Sequence, residues 1–586
     1  MVKNREVFQV DPLSRDIPNG GVTKVLVPRT EQEWQVLRYE LASFVCDGEY
    51  HLGLERILST YIAHLGQAEQ PAAWVSGFYG SGKSHLVRVL EYQWRDVVFP
   101  DGASARGITQ LPDDINDLLK ELTTIGKQHG GLWSAAGTLG AGAGKSVRLA
   151  MLGILFRSAG LPEQYAPARL VIWLRQNGYY DQVKAAVEAE GRDFFRELNN
   201  MYVSRSLADG LLAADPAFAG SNIEARNLLK AQYPNRDDVS DEELLLTMED
   251  VLALQSTTPG KLPLTLLVFD ELQQFIGEDS GRTLQVQTIV EACSARFGSR
   301  LLFVATGQAA LQATPQLSKL QGRFTVRVTL SDTDVERVVR QVVLRKRENM
   351  RSVIQSTLQS VSGEIDRQLA GTKIGPRPTD GADLVPDYPL LPVQRRFWEA
   401  VLRAVDRPGT AGQLRTQLRI VHEAARHVAN DPVGVVVAGD FIYDQQRQEM
   451  LQSGVLLRET DIAISELRKN GDDDGSLRSR LCALIFLISK LPTEGVAATG
   501  IEATPNALAD LLVEDLVGGS TDLRQRIPKL LNDLVEEGTI MQVGNEYRLQ
   551  TRESAEWVAD FRGRHAGISA DDGRIADERA KEFKAA

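Results

Sequence analysis

Residues Gly77-Phe78-Tyr79-Gly80-Ser81-Gly82-Lys83-Ser84 spell a complete G-x-x-x-x-G-K-[ST] phosphate-binding loop. Such a loop works only where a buried strand runs into it and a helix leaves it. Both flanks are present: apolar Ala72-Ala73-Trp74-Val75 precede the loop, and Leu86, Val87, Val89 and Leu90 follow at helical spacing. From average composition about 0.02 matches are expected by chance in a chain of this size, and the flanks disfavour the plain alternative of a Gly-rich structural turn. The glycines let successive backbone N–H groups turn inward around phosphates, and the new helix adds the positive end of its dipole. Lys83 is expected to reach β- and γ-phosphates, and the Ser84 hydroxyl to hold Mg²⁺.

A phosphate loop of this kind needs an acidic partner at the end of another buried strand. Leu264-Thr265-Leu266-Leu267-Val268-Phe269-Asp270-Glu271 fits: an apolar run ending in two carboxylates. The step of 186 positions from Ser84 to Asp270 exceeds what a minimal core needs, so a helical insertion is expected at about 150–258. A further buried run, Arg300-Leu301-Leu302-Phe303-Val304-Ala305, ends in Thr306-Gly307-Gln308. Thr306 or Gln308 there occupies the place of a sensor-1 residue of AAA+ ATPases. Arg323 precedes another short strand, where it serves either as a finger toward a neighbour's nucleotide or as one half of a surface salt bridge. Gly412-Gln413-Leu414-Arg415 opens an amphipathic helix like the sensor-2 helix of an AAA+ lid, with a helix-surface arginine as the plain alternative. Gly140-Ala141-Gly142-Ala143-Gly144-Lys145-Ser146 imitates a second phosphate loop, but Leu139 stands where the first glycine is required. It reads as a Gly/Ala loop before a helix.

Composition narrows the partners. The net charge is −12, which favours solubility and gives no support to wholesale nucleic-acid binding. Any DNA contact must use a local basic face. Between Arg395 and His427 seven arginines (395, 396, 403, 407, 415, 419, 426) face only Glu399, Asp406 and Glu423, and Arg337, Arg340, Arg345, Lys346, Arg347 and Arg351 form a second basic run. Charge runs on helices are usually solvated faces. Cys46, Cys293 and Cys482 are scattered without metal-ligand spacing, which fits a reducing cytoplasm. No run approaches the roughly eighteen apolar residues of a membrane span.

Near the C-terminus, apolar helical patterns at Leu477–Leu491, Pro505–Leu516 and Leu523–Glu537 precede an alternating stretch, 540–549, about a Gly-Asn turn. Three helices and a hairpin describe a winged helix, whose third helix can enter a major groove. Arg524, Arg526 and Lys529 are candidates to face phosphates, although Asp522, Asp533, Glu536 and Glu537 leave that helix acidic overall.

The run Ile17-Pro18-Asn19-Gly20-Gly21-Val22-Thr23-Lys24 and the stretch Trp74 through His85 resemble the large P-loop ATPase of BREX and phage-growth-limitation systems, bacterial anti-phage defence islands. The likeness continues at Phe269-Asp270-Glu271 and Tyr388-Pro389-Leu390-Leu391-Pro392. It implies His85 as a member of the nucleotide-binding set, and a chain corresponding to an N-terminal portion or a short member, since such proteins are usually much longer. Val27-Pro28-Arg29-Thr30-Glu31, the lid and the winged helix are similar to the origin-recognition branch of AAA+ ATPases. The resemblance leans to ATP, and no N-K-x-D guanine motif is present.

The expectation is therefore an α/β protein with an AAA+ P-loop ATPase core. Its divisions are a lead-in at 1–70, the core at 71–330, a helical lid and connector at 331–470, a winged helix at 471–552 and a polar helical tail at 553–586. ATP and Mg²⁺ are bound by residues 77–85 with Asp270. Glu271, Lys83, Arg323, Thr306 and Arg415 support slow hydrolysis. The protein is expected in the cytoplasm as a nucleotide-dependent homo-oligomer, acting as an assembly switch on double-stranded DNA or on other phage-defence proteins. The alternative is a protein-interaction scaffold with structural nucleotide and no direct DNA binding.

Overall fold

The computed structural model describes residues 2–15, 28, 30–78, 80–139, 146–311, 314–405, 414–469, 471–495 and 498–550, with 557, 560, 561, 563–566 and 572–585 of the tail. The whole Ile17–Lys24 run, Val27, Arg29, Tyr79, Gly140–Lys145 and Gly412-Gln413 lie outside the described residues, as do the side chains of Leu414 and Arg415. The chain divides into two compact units: Pro18–Val338, and Met1–Ile17 together with Val339–Ala586. Among the described residues no helix is long and apolar enough to cross a membrane.

The first unit is built on five parallel strands: β1 (Ala73–Gly77), β2 (Leu132–Thr138), β3 (Leu264–Asp270), β4 (Leu301–Gly307) and β5 (Val326–Leu330). Their order is β2-β3-β4-β1-β5. β1, β3 and β4 are buried along their whole length, as central strands covered on both faces must be. At the edge, β5 alternates buried and exposed residues. The helices Glu49–His64, Lys83–Arg95 and Asp113–Gln128 pack as one group on the sheet, and Val147–Ser158, Asp241–Gln255 and Ser280–Phe297 as another. From β1 the chain crosses to the far edge at β2, then steps back through β3 and β4 and over β1 to β5. Right-handed crossovers send helices to opposite faces wherever this direction reverses. The reversal leaves a crevice outside the C-terminal ends of β1 and β4, where open parallel sheets bind ligands.

Two helices, Glu31–Ala42 and Glu49–His64, precede β1. The break between them ends at Gly48, whose φ of 57° is costly for residues with a side chain. The insertion is helical from Val147 to Gln255. Ser146 caps its first helix by accepting from the Leu149 amide at 3.1 Å, so a helix does follow the Gly/Ala run.

Residues 2–15 belong with the second unit, whereas the sequence reading joins them to the P-loop half. The amides of Asn4 and Arg5 donate to the carbonyls of Asp431 and Ala429, both at 2.8 Å. The buried Tyr388 hydroxyl donates to Asn4 Oδ1 at 2.5 Å. In the same unit the helices Asp473–Ile488, Pro505–Leu512 and Thr521–Glu536 pack together. They precede an antiparallel hairpin of β6 (Ile540–Val543) and β7 (Glu546–Leu549), turned at Gly544 with φ 65°. Backbone bonds from Val436 to Glu514 and from Gly439 to Leu511 tie this group to the helical segment before it.

Candidate active site

β1 delivers the loop Gly77–Ser84 to the crevice. Gly77 and Gly82 are required there by space as well as by backbone angle. A methyl on Gly77 would lie 2.5 Å from Ser81 Oγ and 2.9 Å from the Leu330 carbonyl oxygen. One on Gly82 would lie 2.5 Å from the Tyr50 hydroxyl. Gly80 and Gly82 have φ of 85° and 86°, the left-handed region open to glycine. The helix Lys83–Arg95 begins immediately after Gly82, so its free N–H groups lie at the loop.

Lys83 is folded back on the loop, its ammonium donating to the carbonyls of Gly77 and Phe78 at 2.8 Å each. Burial pushes its pKa down to about 8, opposed by the charges of Asp270 and Glu271. Asp270, only 2% exposed, closes β3. Burial raises its pKa, while hydrogen bonds from Thr306 and Ser84 and the charge of Lys83 pull it down. Glu271 is raised by burial and then by the like charge of Asp270, against Lys83. Glu271 also adopts φ 60°, a conformation costing a side-chain-bearing residue about 1–2 kcal/mol. Strain in a carboxylate beside a phosphate loop is characteristic of functional positions.

Thr306, at the end of β4, joins the cluster. Its hydroxyl donates to Asp270 Oδ1 at 2.6 Å and accepts the Glu271 amide at 2.9 Å. Gln308 is exposed. The fold thus brings together Lys83, Ser84, Asp270, Glu271 and Thr306 from β1, β3 and β4, although Asp270 lies 186 positions after Ser84.

His85 and Arg323 are engaged with other partners. His85 shares a hydrogen bond with the Glu40 carbonyl at 2.8 Å and packs edge-on against Phe44, so it joins the phosphate-loop helix to Glu31–Ala42. Arg323 is not brought to this cluster. It is paired with Glu69 at 2.9 Å and Glu291 at 3.0 Å, and it precedes β5 at the sheet edge opposite the loop. Arg415 lies in the first turn of the helix Leu414–His427 of the other unit. Two residues that sequence reasoning missed support the site. The Tyr50 hydroxyl donates to the Ser81 carbonyl at 2.6 Å from beneath the loop, and Gln273 Oε1 accepts the Ala309 amide at 2.8 Å. A tyrosine at the start of an apolar helix and a glutamine after two acids carry no local signal of either contact.

The basic stretches are largely engaged internally. Arg340 and Arg395 converge on the buried Asp387, Arg396 pairs with Asp380, and Arg426 pairs with Glu423. Arg524 binds Asp510 and Glu364, and Arg526 is held by Asp473 and Asp474. Lys529 is exposed. A comparison against models of known protein families finds none that matches the chain.

Proposed function

We propose that the chain binds and hydrolyses ATP with Mg²⁺ as an AAA+ P-loop ATPase. The observation that carries this reading is the meeting of Lys83 and Ser84 with Asp270 and Glu271 at the crevice. The residues fit such a ligand. The loop excludes a Cβ at Gly77 and Gly82, and Ser81 Oγ is buried with no hydrogen-bond partner. Among the described residues no three His, Cys, Asp or Glu side chains could hold a metal by themselves. Mg²⁺ would be held by Ser84 and Asp270 together with the triphosphate, and when bound it would offset charge on the phosphates.

Lys83 exchanges its two carbonyl contacts for phosphate oxygens, where its charge counts for more. Glu271 accepts the proton of the attacking water as the water oxygen bonds to the γ-phosphorus. The bond from that phosphorus to the β–γ bridging oxygen breaks, leaving ADP and inorganic phosphate. Positioning and electrostatics supply most of the acceleration. Replacing Glu271 by Gln should leave ATP affinity within about threefold and lower kcat about 1,000-fold, the scale of a lost general base. A variant that turns over normally would remove Glu271 from this role.

At the level of the cell we propose a nucleotide-controlled assembly switch in a BREX-like or phage-growth-limitation defence system. It acts as a homo-oligomer in which Arg323 completes a neighbour's site and Arg415 follows lid movement. The support is the likeness at Trp74–His85 and Phe269–Glu271. A winged-helix role for residues 471–552 belongs to this proposal, supported by the sequence of three helices and a hairpin. The ion pairs of Arg524 and Arg526 favour a second reading, in which this region contacts partner proteins and double-stranded DNA is not bound through the helix Thr521–Glu536.

A further inference from the structure

The hydroxyl of Thr306 has one proton to give. With Asp270 ionised, that proton lies on Asp270 Oδ1 at 2.6 Å, and the oxygen's lone-pair side receives the Glu271 N–H at 2.9 Å. A phosphate oxygen, which only accepts, could be served only by breaking the bond to Asp270. That bond is charge-assisted and almost wholly out of water, with Thr306 1% and Asp270 2% exposed.

The backbone that carries Thr306 is closely held. A side chain at Gly307 would lie 2.3 Å from the Trp74 ring and 2.8 Å from Gln273 Oε1. The turn beyond is clamped on both sides of Ala309. Its amide donates to Gln273 Oε1 at 2.8 Å, and its carbonyl accepts the Trp74 indole N–H at 3.1 Å. A β-branched side chain at this point has few rotamers available. Trp74 belongs to β1, which carries the phosphate loop, and Gln273 lies two residues beyond Glu271. The end of β4 is thus fixed by residues next to both halves of the site.

We infer that Thr306 is a positioning residue that orients the Asp270 carboxylate and holds Glu271 in its left-handed backbone conformation, rather than a direct reader of the γ-phosphate. This rests on the ATPase reading above and changes the part played by one of its members.

The test uses the full chain with Thr306→Val, which keeps the shape and loses both hydrogen bonds, and Thr306→Ser, which keeps both. Thr306→Ala replaces the valine variant should valine fail to fold. Three quantities are read: exchange of the Glu271 amide in nucleotide-free protein, kcat, and the ratio of Kd for ADP to Kd for a non-hydrolysable ATP analogue. In Thr306→Val the Glu271 amide should exchange at least about tenfold faster and kcat should fall about 100-fold, the scale of lost bonds to a charged group. The affinity ratio should stay within about twofold, and Thr306→Ser should restore exchange and kcat to within about threefold. Collapse of the affinity ratio in Thr306→Val would make Thr306 a phosphate reader and overturn the inference. Wild-type exchange and turnover in that variant would overturn it as well. Wild-type protein that binds no ATP would instead sink the ATPase reading, with amide exchange still deciding whether Thr306 holds Glu271.

Discussion

Lys83 and Arg480 are both cations drawn largely out of water, and their surroundings treat them in opposite ways. Lys83 rests on two backbone carbonyls, and no carboxylate lies within ion-pair distance of it among the described residues. Burial lowers its pKa to about 8, only partly opposed by Asp270 and Glu271. Arg480, on the helix Asp473–Ile488, makes two bonds to Asp440 and one to Glu514. Burial works against its charge too, but those carboxylates more than offset it and hold its pKa above the ordinary value. The contrast extends to their neighbours. Asp270 and Glu271 are both raised, while Arg478, Arg524 and Arg526 are each already matched to acids. Charge held against a desolvation cost is available to a ligand, whereas charge already matched within the chain contributes to structure. At these two positions the surroundings differ in kind: backbone carbonyls face Lys83, and carboxylates face Arg480.

The contrast breaks most readily at Lys83. Lys83→Ala should weaken binding of a fluorescent ATP analogue about 100-fold or more, as expected when a buried cation is removed from phosphates. Affinity that survives the substitution would mean that the lysine held no charge in reserve. Next in size is a pH effect. The ammonium predominates below about pH 8 and is lost above it, so ATP affinity should fall roughly tenfold between pH 7 and pH 9. A flat profile in a titration series would place the lysine's pKa elsewhere. At the opposite pole, Arg480→Met should destabilise the protein by about 2 kcal/mol, mostly through stranding Asp440. The corresponding fall in Tm is about 2–4 °C by calorimetry, with ATP affinity unchanged. The smallest effect is expected at Lys529. Lys529→Glu should change affinity for duplex DNA less than about twofold, where a phosphate contact would also lower the salt slope by about one.

Local patterns made much of the first unit legible. The motif at 77–84, the apolar runs of β3 and β4, and the acids at 270 and 271 are each specified within eight residues, and the parallel sheet assembled from them is as expected. What escaped depends on partners distant in sequence. Nothing near Tyr50 indicates that its hydroxyl meets Ser81, or near His85 that its ring meets the carbonyl of Glu40. The sequence reading makes the N-terminal segment a lead-in to the core, yet Asn4 is fixed by Asp431 and Tyr388. Likewise the arginines of 337–351 and 395–426 suggested an exposed basic face. The acids that engage several of them, Asp380 and Asp387 among them, come from a Pro/Gly/Asp-rich break whose own sequence gives no sign of that role.

The backbone of Glu271, at φ 60°, has a consequence for how the protein tolerates change. Glycine meets no steric objection to that angle, so Glu271→Gly should relieve part of the local penalty while removing the carboxylate. A protein that lacks this carboxylate and withstands heat as well as or better than its parent in a thermal melt is the expected result. At this position heat resistance and the carboxylate therefore pull in opposite directions.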